Sequence, residues 1–430
     1  MSSKIKTIKA REILDSRGEP TIETKIVLES GLRAKAAVPS GASTGKFEMW
    51  ELRDNDPKRY SGKGVLKACK NVNDEILEAL KGMDVAKQRE IDERMIELDG
   101  TENKSRLGAN AILSISLGVA RVAARVQKLE LWQWIRKLSS VPRNNKESSM
   151  IRPISEDLPM PCFNLLEGGK HSDNRLSFQE FWAIPVGAGS FAEAVRMGSE
   201  VFHCLRELCK EKGYNTNVGD EGGLAPNLDS NQQAVELVIE AMARGGFKMP
   251  VDFVLGLDVA ASSFFEQGSY LFKNEGLSLS SDQMVGLYCE WAEKYPISAI
   301  EDGLAEDDWQ GWVSLAQKLG DKVQIIGDDL LATNLQRLKR AIQERAANAI
   351  LIKLNQIGTL TETLDCIKEA QKNNFGTIIS HRSGETCDTF IADLAVGTRA
   401  GQIKTGSLSR SERICKYNRL MEIEEQIRSS

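Results

Sequence analysis

Six residues with reactive side chains stand at the ends of short apolar runs in the C-terminal two thirds of the chain. They are Asp258, Glu301, Asp328, Lys353, His381 and Lys404. A single acidic residue after such a run is usually a turn residue or a helix cap. Capping does not select lysine or histidine, so three acidic and three basic ends in succession favour a functional set.

The three acidic ends predict a metal site. Carboxylate oxygens from Asp258, Glu301 and Asp328 form a ligand set that hard divalent cations prefer, with room left for water or substrate. Neither histidine nor cysteine belongs to this group. The pattern therefore favours Mg²⁺ over softer metals.

The basic ends predict a site for an anionic substrate. A lysine beside a metal ion can titrate low enough to act as a base, so Lys353 is a candidate for removing a proton. The segment His381-Arg382-Ser383-Gly384 offers a cation, a bidentate guanidinium and a hydroxyl, which suit a phosphate. Lys404 adds a further positive charge. Together with the metal site, these residues predict a phosphorylated carboxylate as the substrate.

A further acidic segment, NVGDEGGLAPN, sets Asp220 and Glu221 between glycines. Glycines let the backbone come close to a ligand, and Glu221 is a candidate general acid. Taken alone, the segment is better explained as a tight acidic turn. Both interpretations stay open at this point.

The spacing of the charged ends predicts the elements that carry them. From Glu301 onward the ends are 27, 25, 28 and 23 residues apart, about one strand, one helix and two loops. Continuous apolar strands alternating with helices indicate a parallel sheet covered on both faces, and six such units favour a closed (β/α) barrel. In that fold, reactive groups gather at the carboxyl ends of the strands.

The N-terminal part follows a different pattern. Residues 5–38 alternate apolar and polar side chains around a Ser30-Gly31 turn, which predicts an antiparallel meander. Residues 63–137 place apolar side chains every three or four positions, which predicts helices. We therefore expect an α+β domain over 1–138, a linker or exposed loop over 139–157, and the barrel domain over 158–430.

Composition limits the classes of function. The 430 residues carry a net charge of −5, so no global basic field attracts nucleic acid. The N-terminal segment lacks the apolar core of a secretory signal, and no run of eighteen apolar residues occurs. We therefore expect a cytoplasmic protein without a membrane span. The eight cysteines form no CxxC pair, so reduced thiols are expected and zinc is not.

Ten strings distributed from end to end of the chain resemble signatures of the enolase family. They are ILDSRGEPTIE (13–23), VPSGASTG with ELRD (38–54), LGANAILSISL (107–117), GGKHSDN with QEF (168–181), VGDEGGLAPN, IEDGLAEDDW, GDDLLATN, IKLNQIGTLTET, SHRSGET and GQIKTGSLSRSER. A lone GDEGG string would be weak evidence. Ten long matches in chain order are specific.

The resemblance implies a small N-terminal α+β domain capping an irregular (β/α)8 TIM-like barrel, in which an early strand runs antiparallel to the others. It implies a hydro-lyase that reversibly dehydrates 2-phosphoglycerate to phosphoenolpyruvate in glycolysis and gluconeogenesis. It also implies two Mg²⁺ ions per active site, the second arriving with substrate. Cations placed near the substrate carboxylate would stabilise the charge of the carbanion.

The resemblance further implies a role for each matching residue. The metal ligands would be Asp258, Glu301 and Asp328, with Ser43 closing over the substrate and binding the second ion. Lys353 would take the proton from carbon 2, and Glu221, aided by Glu180, would protonate the departing 3-hydroxyl. The residues that contact substrate would be His171, Glu180, Arg382, Ser383, Lys404 and Ser43, with His381 also at the substrate as a catalytic residue.

Some positions depart from the commoner family pattern. Glu167 stands where asparagine usually precedes the double glycine. The other departures are Glu19, Ser172, Ser263, Gly303 and Cys387. None of them is a predicted catalytic position, so we expect effects on loop packing or subunit contacts, with the chemistry intact.

Two alternatives come from the sequence. One is another enzyme of the wider enolase superfamily, such as a racemase or cycloisomerase acting on a non-phosphorylated acid, against which SHRSG and GASTG argue. The other is a binding or scaffold role, at a cell surface or within an RNA-processing assembly, which enolases are known to have beside catalysis. The resemblance also implies a homodimer or an octamer.

Overall fold

The computed structural model of the chain describes residues 2–41, 45–140 and 151–429. Contacts between Cα atoms divide the chain into two units. The first unit combines Met1–Arg143, Lys353–Lys368 and Arg382–Thr398, and the second combines Asn144–Ile352, Glu369–His381 and Arg399–Ser430. The domain boundary expected at 139–157 stays a prediction, since residues 141–150 lie outside the described ranges.

The first unit contains a three-stranded antiparallel sheet, the meander that the alternating pattern predicts. Its strands are β1 (Ile5–Leu14), β2 (Pro20–Leu28) and β3 (Arg33–Ala37). The register places Ile26 opposite both Ile8 and Ala34. All three side chains are buried, so one face of the sheet contributes to the core of this unit.

Helices follow this sheet along the chain. They are α1 (Leu66–Asn71), α2 (Leu77–Leu80), α3 (Gln88–Asp99), α4 (Ala109–Val126) and α5 (Leu131–Ser139). Helix α4 packs against β2 and β3, and its Ala, Ile, Leu and Val side chains are nearly all buried. By length and composition alone α4 could cross a membrane, but 83% of it is buried inside the protein, as in the core helix of a folded domain.

The second unit is built on a closed eight-stranded barrel, which confirms the predicted fold class. The strands in chain order are β4 (Met160–Glu167), β5 (Glu180–Ile184), β6 (Val254–Asp258), β7 (Phe265–Glu266), β8 (Ser269–Phe272), β9 (Leu277–Leu279), β10 (Ile297–Glu301), β11 (Gln324–Gly327), β12 (Ala349–Ile352), β13 (Gly376–Ser380) and β14 (Gln402–Lys404). Strands β7, β8 and β9 form a separate small sheet, and the other eight close the barrel.

The remaining helices lie between or after these strands along the chain. They are α6 (Phe191–Glu211), α7 (Asn231–Arg244), α8 (Ser281–Lys294), α9 (Trp309–Leu319), α10 (Leu335–Glu344), α11 (Leu354–Ile357), α12 (Leu360–Lys372), α13 (Phe390–Thr398) and α14 (Ser411–Arg428). Strands β4, β5, β6, β11, β12 and β14 are buried at every position. This double-sided burial is why the strands read as continuous apolar runs.

One barrel strand runs against the others. Strand β5 is antiparallel to both of its neighbours, β4 and β6, whereas the remaining neighbours are parallel. This is the irregular barrel that the resemblance implies. A cluster of buried apolar side chains drawn from strands around the barrel, including Trp182, Ile326 and Leu351, forms its core.

All six charged ends found in the sequence lie at the carboxyl ends of barrel strands. Asp258, Glu301 and Lys404 are the last residues of β6, β10 and β14. Asp328, Lys353 and His381 directly follow β11, β12 and β13. The fold therefore brings these positions to one end of the barrel strands.

Candidate active site

Lys404 lies within a cluster of buried carboxyl groups. Its Nζ atom is 2.9 Å from Asp258 Oδ2, 2.9 Å from Glu301 Oε1 and 3.2 Å from Glu180 Oε1. Burial opposes the positive charge, but the carboxylates of Asp258, Glu180 and Glu301 raise the pKa of Lys404 well above its usual value. Lys404 therefore stays charged and offsets part of the negative charge around it.

Strand direction explains how these carboxyl groups meet. In the parallel pair β6 and β10, Glu301 is the register partner of Asp258. Because β5 is antiparallel to β6, its first residue, Glu180, is placed beside the last residue of β6, again Asp258. The reversed strand thus adds an acidic side chain to the end where the parallel strands carry theirs.

The predicted metal ligands lie on neighbouring strands. Asp258, Glu301 and Asp328 are all buried and stand at the ends of β6, β10 and β11. Three carboxylates fit a hard divalent cation by donor type. The ammonium group of Lys404 lies against two of these carboxylates, which shows that this position attracts a cation. These contacts use Asp258 Oδ2 and Glu301 Oε1, so one oxygen of each carboxylate lies outside them.

Among the described residues, two groups of side chains bring ligand atoms within 4.8 Å of one another, and the set of Asp258, Glu301 and Asp328 is not one of them. The first is His171, Glu180 and Glu221, and the second is Asp302, Asp328 and Asp329. Asp302 accepts hydrogen bonds from the backbone N–H groups of Asp328 (2.9 Å) and Asp329 (2.8 Å). Burial and the neighbouring carboxylates raise the pKa of Asp302 well above its usual value. Sequence reasoning gave Asp302 no role, although it lies in the IEDG string beside Glu301.

Glu221 lies between two histidines. Its Oε2 atom is 3.0 Å from His381 Nε2 and accepts a hydrogen bond from Asn164 Nδ2 at 3.2 Å. Its Oε1 atom is 3.6 Å from His171 Nδ1, and the same nitrogen is 3.4 Å from Glu180 Oε1. The structure therefore brings His171, Glu180, Glu221 and His381 together with Lys404, as the sequence predicts for parts of one site.

The surroundings shift the pKa values of Glu180 and Glu221 in opposite directions. Burial and the charge of Glu221 raise the pKa of Glu180 well above its usual value. Burial acts in the same sense on Glu221, but His171, His381 and Arg413 outweigh it and hold the pKa of Glu221 well below its usual value. In this state Glu180 is the group that keeps a proton, and Glu221 must receive one before it can act as a general acid.

Arg413 fixes the tautomer of His381. Its Nη1 atom lies 2.7 Å from His381 Nδ1, and because a guanidinium can only donate, Nδ1 must be the accepting nitrogen. The ring proton is therefore on Nε2, the nitrogen that faces Glu221. Burial lowers the pKa of His381 to about 3. Sequence reasoning assigned Arg413 no role, although it lies in the SLSRSER string.

The glycines around Glu221 have a steric explanation. Gly222 has φ +91°, in the left-handed region that favours glycine, and an added Cβ would lie 2.7 Å from Ser409 O. The acidic-turn interpretation of this segment is thus correct as geometry. The turn places Glu221 among buried titratable groups, so the structure does not leave it as a solvated turn residue.

The other predicted site residues belong to the first unit. Lys353 is half-buried and directly precedes α11. Arg382 is buried, makes a bidentate contact with Glu48 at 2.8 and 3.1 Å, and donates to Asn355 Oδ1 at 2.9 Å. Ser383 is also buried. Ser43 lies outside the described residues, so its expected role stays a prediction.

Two protein-family profiles match the chain. The profile described as "Enolase, N-terminal domain" matches residues 5–135, and "Enolase, C-terminal TIM barrel domain" matches residues 155–430. The chain belongs to the enolase family. Membership implies an enzyme of the lyase type, and enolase-superfamily members bind Mg²⁺, for which the acidic cluster is a possible site.

The Arg413 contact generates a prediction for His381. The imidazole should stay neutral, with its proton on Nε2, from about pH 8 down to about pH 5, because its pKa is depressed to about 3. The measurement is ¹⁵N–¹H NMR of the imidazole nitrogens. Because this pKa lies below the ordinary value of 6.5, the contribution of His381 to stability is complete above about pH 6.5 and is lost as the pH falls toward about 3.

Assignment is practical because the chain contains three histidines. The His381→Asn variant should lose one set of imidazole signals and leave the signals of exposed His203 unchanged. A His381 signal that titrates between about pH 6 and about pH 7 would contradict the tautomer deduced from Arg413.

Proposed function

We propose that this chain is a phosphopyruvate hydratase, which reversibly dehydrates 2-phosphoglycerate to phosphoenolpyruvate. The observation that carries the proposal is the cluster of Glu180 and Glu221 with His171, His381 and Lys404 at the strand ends of an enolase-family barrel. Within one site this arrangement offers a group that holds a proton, a carboxylate that can take one, and a positive charge.

Asp258, Glu301 and Asp328 are the residues that would hold Mg²⁺. Bound there, Mg²⁺ supplies positive charge that stabilises the negative charge developing on the substrate carboxylate. Lys404, which lies beside two of these residues, would contribute its positive charge toward the anionic substrate. The family pattern adds a second ion that arrives with substrate, with Ser43 as its ligand.

The proton transfers are assigned to two residues. Lys353 takes the proton from carbon 2, and the electron pair of that C–H bond forms the double bond to carbon 3. Glu221 donates a proton to the 3-hydroxyl as its C–O bond breaks, so that water leaves. Glu180, whose pKa burial raises, supports this step because it keeps a proton close to Glu221.

The phosphate of the substrate is assigned to Arg382 and Ser383, with His171. A guanidinium binds phosphate through two parallel N–H bonds, and Arg382 already uses that geometry toward the Glu48 carboxylate. A substrate phosphate competes with Glu48 for the same N–H groups of Arg382. A racemase or cycloisomerase acting on a non-phosphorylated acid, the alternative within the superfamily, has no need of such a group.

The proposal extends to the setting of the enzyme. We assign it to glycolysis and gluconeogenesis in the cytoplasm, as a homodimer or octamer of the family type. Additional partners at a cell surface or in RNA processing are compatible with this assignment. Such partners would bind surfaces away from the buried cluster.

A direct assay tests the proposed activity. The chain should form phosphoenolpyruvate from 2-phosphoglycerate with Mg²⁺ present, followed by ultraviolet absorbance. Removal of divalent ions by a chelator should abolish turnover and lower the melting temperature, since the clustered carboxylates lose a counter-charge. Restoring Mg²⁺ should restore both.

Two outcomes of this assay contradict the proposal. Turnover that survives exhaustive metal removal would exclude the assigned metal chemistry. Absence of turnover with 2-phosphoglycerate, together with activity on a non-phosphorylated hydroxy acid, would favour the superfamily alternative.

Isotope exchange separates the two proton-transfer roles. In Lys353→Ala, both dehydration and exchange of the carbon 2 hydrogen with solvent deuterium should fall by about 10²- to 10⁴-fold, because no base removes that proton. In Glu221→Gln, dehydration should fall by a similar factor while exchange persists, because the carbanion can form and be reprotonated. Mass spectrometry of recovered substrate measures the exchange.

Exposed residues provide the controls for this experiment. Lys372→Ala and Glu97→Gln change the same residue types at exposed positions and should leave both rates unchanged. If Glu221→Gln stops exchange while Lys353→Ala preserves it, the two roles are reversed.

A further inference from the structure

Glu167 is a buried carboxyl group to which the proposed chemistry assigns no role. It is the last residue of β4 and is completely buried. Its Oε2 atom accepts a hydrogen bond from the backbone N–H of Glu221 at 3.2 Å, and its Oε1 atom accepts one from Gly223 at 2.5 Å. Both oxygens of this side chain therefore hold the loop that presents Glu221.

The loop is shaped around this carboxyl group. A Cβ added to Gly219 would lie 2.1 Å from Glu167 Oε2, and one added to Gly223 would lie 3.0 Å from Oε1. The backbone of Glu167 is itself fixed, because its N–H donates to Leu224 O at 2.8 Å. Its carbonyl also accepts a hydrogen bond from Asn174 Nδ2 at 2.7 Å. The loop thus has little room to change its position relative to Glu167.

A carboxyl group at this position differs from the asparagine of the commoner family pattern in two respects. It has two accepting oxygens, whereas an amide has one, so it can receive both N–H groups. It also carries an ionisable proton. A departure at this position is expected to affect loop packing, and in the structure Glu167 lies directly behind the proposed general acid.

The charges around Glu167 couple it to Glu221. Glu221 faces it from the loop and Arg413 from α14, and Glu180 is its register partner on β5. Glu221 is in turn faced by His171 and His381. Burial and the charge of Glu221 raise the pKa of Glu167 well above its usual value, against the opposing effect of the two N–H bonds and Arg413.

We propose that Glu167 is a positioning residue for Glu221. Glu167 fixes the Asp220–Glu221 turn through two backbone hydrogen bonds, and the ionisation of Glu221 depends on the ionisation of Glu167. Two carboxyl groups in this relation titrate as a pair, and the first proton is bound more tightly than either group would bind it alone. The pair therefore keeps one proton to higher pH, where Glu221 needs it to protonate the leaving hydroxyl.

The pH dependence of dehydration tests this coupling, and this readout rests on the proposed function. In Glu167→Gln, the alkaline limb of the kcat profile should move to lower pH by about one unit or more, because the repulsion that held the proton is gone. Glu97→Gln, at an exposed position, should reproduce the wild-type profile. A profile lowered by one factor at every pH, left unchanged, or moved to higher pH would overturn the coupling.

A second variant controls for a folding defect in Glu167→Gln. Glu167→Asn introduces the residue of the commoner family pattern and should move the alkaline limb in the same direction as Glu167→Gln. Opposite shifts in the two variants would also overturn the proposal.

Unfolding of the free protein tests the coupling without any activity. A raised pKa in the folded state means that the contribution of Glu167 to stability is complete below the ordinary pKa of glutamate and is lost as the pH rises through the folded value. In urea titrations from about pH 5 to about pH 9, wild-type protein should lose stability relative to Glu167→Gln. Parallel stability curves would overturn the proposal even if 2-phosphoglycerate is turned over, and diverging curves without turnover would leave the coupling and refute the proposed function alone.

Discussion

Buried negative charge at the strand ends is the constraint on which the rest of this site depends. The side chains of Glu221, Asp258, Glu301 and Asp328 are all buried in one barrel. Removing a carboxylate from water costs several kcal/mol unless a partner of opposite charge or a hydrogen-bond donor compensates. The charged and hydrogen-bonding groups beside these carboxylates supply that compensation.

The compensation differs between the two halves of the site. Toward the metal ligands it is a full positive charge, the ammonium group of Lys404. Around Glu221 it is the side-chain amide of Asn164, which donates to Glu221 Oε2, and the Nε2–H group of His381, which lies 3.0 Å from the same oxygen. A positive charge beside the predicted metal ligands and neutral donors beside Glu221 agree with a metal-assisted elimination in which Glu221 moves a proton.

Residue type and spacing were sufficient to predict the barrel and the positions of Asp258, Glu301 and Lys404 at strand ends, because strand and helix lengths fix where each strand stops. They were not sufficient for the contacts that set ionisation. Arg413 lies 32 positions from His381, and Glu167 lies 54 positions from Glu221. No local pattern shows that such residues meet. The single signal for Glu167 was its departure from the family pattern, which indicates an altered position but not the loop that it contacts.

The assignment of Asp258, Glu301 and Asp328 as the ligands of a divalent cation is central to this site. Anomalous diffraction from crystals soaked in Mn²⁺, a divalent ion with the same preference for oxygen ligands, tests it most directly. An anomalous peak ligated by Asp258, Glu301 and Asp328 is the expected result. A peak at His171, Glu180 and Glu221, or at Asp302 and Asp329 without Asp258 and Glu301, would contradict the assignment.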